Sequence, residues 1–105
     1  MPNPIIVSNT GSASQVIGVH GGSGLMHWKR FVTGLMLHAA WDSFEHNVLE
    51  PGAAVGEHVH SRTEEIYFIV SGTGMMKYNG EEFQVVPGDL IMTPLNGRHG
   101  IVNHG

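Results

Sequence analysis

The sequence predicts an all-β fold, and three observations carry that prediction. Glycine accounts for 15 of the 105 residues, and turns built on Gly or Pro recur along the chain. The segments between them are short apolar runs rich in β-branched and aromatic side chains, as strands are. No window sustains a 3.6-residue period long enough for a helix.

Taken in order, residues 1–24 are rich in Gly, Ser, Asn and Pro, with short β-branched runs only at 5–7 and 16–17. This reads as an arm with one or two short strands. Residues 25–49 hold two or three strand-like runs, interrupted at Gly34 and closed by the firm turn Glu50-Pro51-Gly52. Strand signals then become regular, at 55–60, 65–70, 75–78, 82–86, 90–93 and 99–103. Asn79-Gly80 is a hairpin signal, and Pro87-Gly88-Asp89 makes a further turn. Strands at this spacing predict an antiparallel sandwich or small barrel.

Composition narrows the function. A chain of 105 residues forms one domain. Its 41% hydrophobic and 13% charged residues are those of a globular protein. The net charge of −4, with only 5 Lys and Arg, excludes a basic footprint for nucleic acid or an anionic membrane. With no cysteine, disulfides, thiolate-bound zinc and thiol catalysis are excluded. The start MPNPIIVSN lacks the features of a signal peptide, and no apolar run is long enough to span a membrane. A soluble cytoplasmic protein is the expectation. The 8 histidines of this lightly charged chain call for a position-by-position reading.

His58 and His60 are two apart on an expected strand, so both imidazoles aim to one side about 7 Å apart at Cα. Glu65 opens the next strand, and His99 lies after the second turn-rich stretch. Three imidazoles and one carboxylate suit Fe, Mn, Ni, Co or Zn. In an octahedral field they leave two positions for water, substrate or dioxygen. A pair of surface histidines is the competing reading of His58 and His60 alone.

The wider spacing resembles the two motifs of the cupin superfamily, here that of the small single-domain bacterial cupins. The first motif, G-x5-H-x-H-x(3,4)-E-x6-G, is matched by Gly52, His58, His60, Glu65 and Gly72. The second, G-x5-P-x-G-x2-H-x3-N, is matched by Gly88, Pro94, His99 and Asn103. Its middle glycine is displaced, with Asn96 at the expected place and Gly97 following. The resemblance implies a double-stranded β-helix, a jelly-roll-like barrel, with an N-terminal strand arm. Residues 1–49 form the arm and first strands of the single domain 1–105, and 50–105 its motif core. It further implies one divalent metal per subunit, with Fe or Mn favoured. The ligands carried over are His58, His60, Glu65 and His99. Glu64 is the alternative carboxylate, disfavoured because the six-residue interval to Gly72 starts from Glu65.

If Glu65 faces the metal, strand alternation sends Tyr67 and Ile69 to the same cavity. Ile66, Phe68 and Val70 then face the other way and need covering by a second sheet or subunit. Tyr67 and His46 are the candidate catalytic groups, His46 as a base on the strand entering the motif. Arg98, Met75 and Met92 are the candidate substrate contacts, the arginine for an anionic group and the methionines as adaptable walls. Arg62 reads as a solvated loop residue, and Asn103 as a scaffold residue near His99. His20, His27, His38 and His104 lack supporting spacing and read as structural.

The resemblance implies no single reaction. A mononuclear non-haem oxygenase, a non-redox isomerase or polyketide cyclase, and a non-enzymatic binding or sensing protein all fit it. Cupins continue past the second motif with closing strands, whereas this sequence runs to Gly105. Either residues 1–49 or a second subunit are expected to close the barrel, or the sequence is a fragment, and an exposed sheet edge favours a homodimer.

Overall fold

A computed structural model describes residues 9–36 and 40–105. The short run at 5–7 and His38 lie outside the described residues. The described residues form nine strands: β1 (Ser14–Ile17), β2 (Leu25–Thr33), β3 (Ser43–Leu49), β4 (Ala54–Val59), β5 (Glu65–Phe68), β6 (Gly74–Tyr78), β7 (Glu81–Val85), β8 (Leu90–Thr93) and β9 (Arg98–Val102). Three single-turn 3-10 segments complete the described secondary structure.

The strands pair antiparallel in three sheets: β1-β2-β3 from the arm, β4-β9-β6-β7, and the two-stranded β5-β8. This is an open jelly-roll, since backbone hydrogen bonds run within the separate sheets and not round a closed cylinder. The arm sheet joins the second sheet at a single bridge. There Ser23 and Ala54 exchange N–H···O bonds of 3.0 and 2.6 Å.

Local sequence explains the connections. Asn79 and Gly80 both take positive φ, 46° and 87°, as the two central residues of a type I′ hairpin must between β6 and β7. Asn96 has φ 65°, so the left-handed place that the motif reserves for glycine is filled by the residue that best tolerates it after glycine. Gly97 is buried instead, and a Cβ there would sit 2.7 Å from Thr93 Cγ2.

The core is small: Met26, Ala53, Val55, Met76 and Val85 are buried, together with the polar pair Thr93 and His99. Cross-strand partners Ile66 and Met92, and Phe68 and Leu90, share the outer face of β5-β8. All four are more than half exposed, as is neighbouring Val70. The cover expected for Ile66, Phe68 and Val70 is therefore not supplied by the described residues of this chain. Nor does Ile69 join Tyr67. The strand ends at Phe68, and Ile69 turns to a second cavity while Tyr67 faces the first. No helix among the described residues is long and apolar enough to cross a membrane.

Candidate metal centre

Antiparallel register brings the two motifs together. His58 on β4 lies directly opposite His99 on β9, and His99 is also opposite Tyr78 on β6. Glu65 opens β5 opposite Thr93 on β8. His60 follows β4 and is held where its carbonyl accepts the Asn96 N–H at 2.8 Å. One ligand atom each from His58, His60, Glu65 and His99 gathers within 4.8 Å.

Second partners orient these rings. The carbonyl of Gly56 can only accept, so at 2.8 Å it takes the N–H of His58 Nδ1 and leaves the Nε2 lone pair facing inward. His99 Nδ1 meets Thr93 Oγ1 at 2.7 Å, with both residues buried. Its Nε2 lies 3.1 Å from His58 Nε2 and 2.7 Å from Glu65 Oε2. His60 Nε2 and Glu65 Oε2 approach to 2.9 Å. Even so, both atoms are buried with no hydrogen-bond partner. They are near each other but aimed at a common point and not at one another.

With its N–H engaged by Gly56, His58 turns a lone pair toward the same point as the Glu65 carboxylate and the rings of His60 and His99, an arrangement that a cation would stabilise. A six-coordinate ion with bonds of about 2.1 Å sets neighbouring donors about 3 Å apart. The close contacts match that spacing, so the residues fit a divalent ion. Electrostatics agree. Burial alone would raise the Glu65 carboxyl, yet His99 beside it and the nearby His60 and His58 outweigh burial and hold it below the ordinary value. Burial pushes the His58 imidazole down, which keeps it neutral and able to ligate.

The centre opens into a cavity of about 730 Å³ between the motif strands and the arm sheet. Its far wall comes from alternate residues of β2 and β3: Met26, Trp28 and Arg30 on one strand, Ser43, Glu45 and Asn47 on the other. Glu45 organises that wall. Its carboxylate accepts from Trp28 Nε1 at 2.7 Å, Arg30 Nε at 2.9 Å, Ser43 Oγ at 3.0 Å and Asn47 Nδ2 at 3.4 Å. Burial would raise its pKa, but these four donors more than offset that and hold it low. The Arg30 guanidinium also lies over the Trp28 ring, 5.0 Å from the centroid.

Other expected site residues fall in different places. Tyr67 does line the cavity, its ring 5.1 Å from that of His99. Burial, with Glu65 and Glu45 nearby, pushes its phenol well above the ordinary range, so it stays protonated. His46 is on the opposite face of β3 from Glu45 and lines a second cavity beside Phe31. The metal-side role expected of it fails on strand alternation. Arg98 points away from the centre, as the residue before inward His99 must. It is exposed and paired with Glu57 at 2.9 Å. Met92 is 53% exposed on the outer face of β8, and Met75 lines neither cavity. Arg62, read as a loop residue, does line the cavity. Of the histidines read as structural, His27 pairs with Glu50 at 2.8 Å and His104 is exposed, whereas His20 lines the cavity. Asn103 does tie down backbone, donating to the Leu49 carbonyl at 2.8 Å. Residues 25–49 read only as strand-like runs, and nothing in them said which face meets the cavity.

Comparison with known proteins identifies the family. Residues 46–105 match the cupin domain family. The oxalate-binding protein of Thermotoga maritima is 28% identical over 96% of this chain and 84% of its own length. The crystal structure of a predicted oxalate decarboxylase from Thermotoga maritima superposes with a TM-score of 0.90 at 27% identity. That match covers 96% of this chain and 89% of the other. The tetracenomycin polyketide synthase protein TcmJ of Streptomyces glaucescens is 30% identical over 57% of this chain, which spans only 40% of that protein. KdgF from Halomonas sp., at 22% identity and a TM-score of 0.63 over 74% of this chain and 68% of its own, shares the fold. With both motifs in place, the ligand cluster assembled and more than half its length matched, this chain belongs to the cupin family.

Proposed function

We propose that this cupin is a metal-dependent enzyme acting on a small organic molecule, working as a homodimer in the cytoplasm. The favoured reading is a mononuclear non-haem Fe(II) or Mn(II) oxygenase. The observation that carries metal dependence is the convergence of His58, His60, Glu65 and His99, with His60 Nε2 and Glu65 Oε2 buried and unpartnered. Three imidazoles with one carboxylate suit a redox-capable first-row ion. When bound, such an ion supplies a Lewis-acid and one-electron centre.

The surrounding residues supply the rest. Tyr67, kept as a neutral phenol by burial, serves as a hydrogen-bond donor to a substrate oxygen and not as a base. Trp28 offers a flat apolar face, and Arg30 and Asn47 add polar contacts beside it. A cavity of about 730 Å³ lies in the ~300–1,000 Å³ range of sites that hold drug-sized ligands. That size leaves room for a ring-bearing substrate.

Two other readings have specific support. Likeness to TcmJ and to the polyketide synthase CurC of Streptomyces cyaneus, 31% identical over 55% of this chain and 38% of that one, favours a non-redox cyclase or isomerase. Likeness to the oxalate-binding protein favours carboxylate binding without turnover. Iron-loaded protein, incubated with and without O₂ against a panel of hydroxylated and keto-aromatic compounds and dicarboxylic acids, separates the three. Turnover only in air supports the oxygenase, and equal anaerobic turnover supports the non-redox enzyme. Binding of a dicarboxylate without consumption supports the binding protein. Wild-type protein that takes up no divalent metal removes the common basis of all three.

A further inference from the structure

His20 comes from the arm, 38 residues before His58 in the chain, yet the two rings stack face to face with centroids 3.8 Å apart and planes within 15°. The His20 ring also meets that of His60 edge-on at 6.4 Å. It lines the metal-side cavity but is not one of the four residues whose ligand atoms cluster.

The backbone here is unusual in a way that serves this contact. His20 is left-handed, φ 51° and ψ 38°, a conformation that a residue with a Cβ seldom adopts without a compensating contact. It sits in the 3-10 turn Val19–Gly21, between the left-handed Gly18 and Gly21. The turn lies directly on β4. A Cβ at Gly56 would overlap the His20 carbonyl oxygen, and one at Gly22 would overlap the Ala54 carbonyl oxygen. The Ser23–Ala54 bridge fastens the turn just beyond. Four glycines thus bring two backbones close enough to lay the His20 ring on His58. His58 itself is tethered by Nδ1 to Gly56, the residue on which the turn rests.

We infer that His20 is a positioning residue of the metal centre: its ring clamps that of His58, so metal binding and docking of the 18–24 turn on β4 reinforce each other. The inference rests on the metal reading of the cluster. A ring held on one side by the Gly56 carbonyl and across its face by His20 keeps Nε2 aimed at the common point, as partners of metal ligands do. Because coupling is reciprocal, a bound ion must in turn steady the turn.

Co(II) alone is the probe, titrated into metal-free full-length protein and followed by its absorption spectrum and by release to a chelator. His20→Asn keeps a residue tolerant of the left-handed backbone and removes the ring. It is expected to weaken Co(II) binding about tenfold and to speed release correspondingly. His20→Phe restores a stacking face without ring nitrogens and is expected to recover most of that loss. Hydrogen exchange of the Gly21, Gly22 and Ser23 amides is expected to slow when Co(II) binds wild type, and much less in His20→Asn. Wild-type affinity in His20→Asn overturns the inference. So does a His20→Phe variant that folds but binds as weakly as His20→Asn, because the ring nitrogens and not the stack would then matter. The exchange measurement on wild type needs no variant, and Co(II) binding that leaves those amides unchanged also overturns it. Wild-type protein that binds no Co(II) overturns the metal reading together with this one.

Discussion

Thr93 and the Gly56 carbonyl hold the Nδ1 atoms of His99 and His58, which leaves both Nε2 atoms facing the candidate metal cluster. Thr93 is 2% exposed and its hydroxyl spends its bond on His99 Nδ1. Thr93→Val keeps the volume and removes the partner. It is expected to weaken Mn(II) or Co(II) binding about 10–100-fold in a calorimetric titration while the fold survives. Glu45 carries a different test. Its folded pKa is held below the ordinary glutamate value near 4.5. The stabilisation is therefore full above that pH and is lost as pH falls through the lowered folded value. Melting temperatures from pH 7 to pH 3 should show this acid loss. In Glu45→Gln the stability at neutral pH should fall by about 1–3 kcal/mol, and the melting curve against pH should be flatter on the acid side. An acid limb equally steep in the variant would assign it to other carboxylates. At this scale the ligands were legible because motif spacing places each of them. His20 was not, since its contact joins chain segments that share no motif.

Strand alternation accounts for most of what went right and wrong at the next scale. The regular runs from 55 onward emerged as β4 to β9 within a residue or two, because turn residues such as Asn79-Gly80 and Pro87-Gly88 punctuate them locally. Which face of a strand meets the candidate metal cluster was legible only where a motif residue marked it. Hence Tyr67, two residues from Glu65, lines the cavity, whereas His46 and Met92, on unmarked strands, lie on other faces. Ile69 shows the limit of that rule, which holds only while the strand lasts. The displaced motif glycine has a similar local answer, since Asn96 itself adopts the left-handed turn. Docking of the arm turn on β4 depends on Gly22 and Gly56, where a side chain would collide with backbone. Gly56→Ala is expected to cost about 2–4 kcal/mol. Gly80→Ala in the open hairpin, where a Cβ meets nothing within 4 Å, should cost only the left-handed penalty of about 1–2 kcal/mol. Urea unfolding of the two variants compares them directly. Equal losses would mean that the arm turn does not hold its place against β4.

For the whole molecule, the open β5-β8 sheet is the salient feature. Ile66, Phe68, Leu90 and Met92 form a contiguous apolar face, each more than half exposed, and faces of that kind mark association surfaces. The proposed homodimer uses it. Light scattering should give twice the mass of the 11.4 kDa chain, and Ile66→Glu with Phe68→Glu should halve it without loss of β circular dichroism. A wild-type monomer at micromolar concentration would reject the dimer.

The all-β class, the turns and the four residues of the candidate metal cluster were determined by the sequence itself, because turn chemistry and motif spacing act over a few residues and are written there. The tertiary structure alone decided that Glu45, Trp28 and Arg30 line the cavity beside the cluster, that His46 does not, and that His20 from the arm lies against His58. Those outcomes depend on which face of one sheet packs on another. That choice is made by contacts between residues distant in the chain, and no local pattern encodes it.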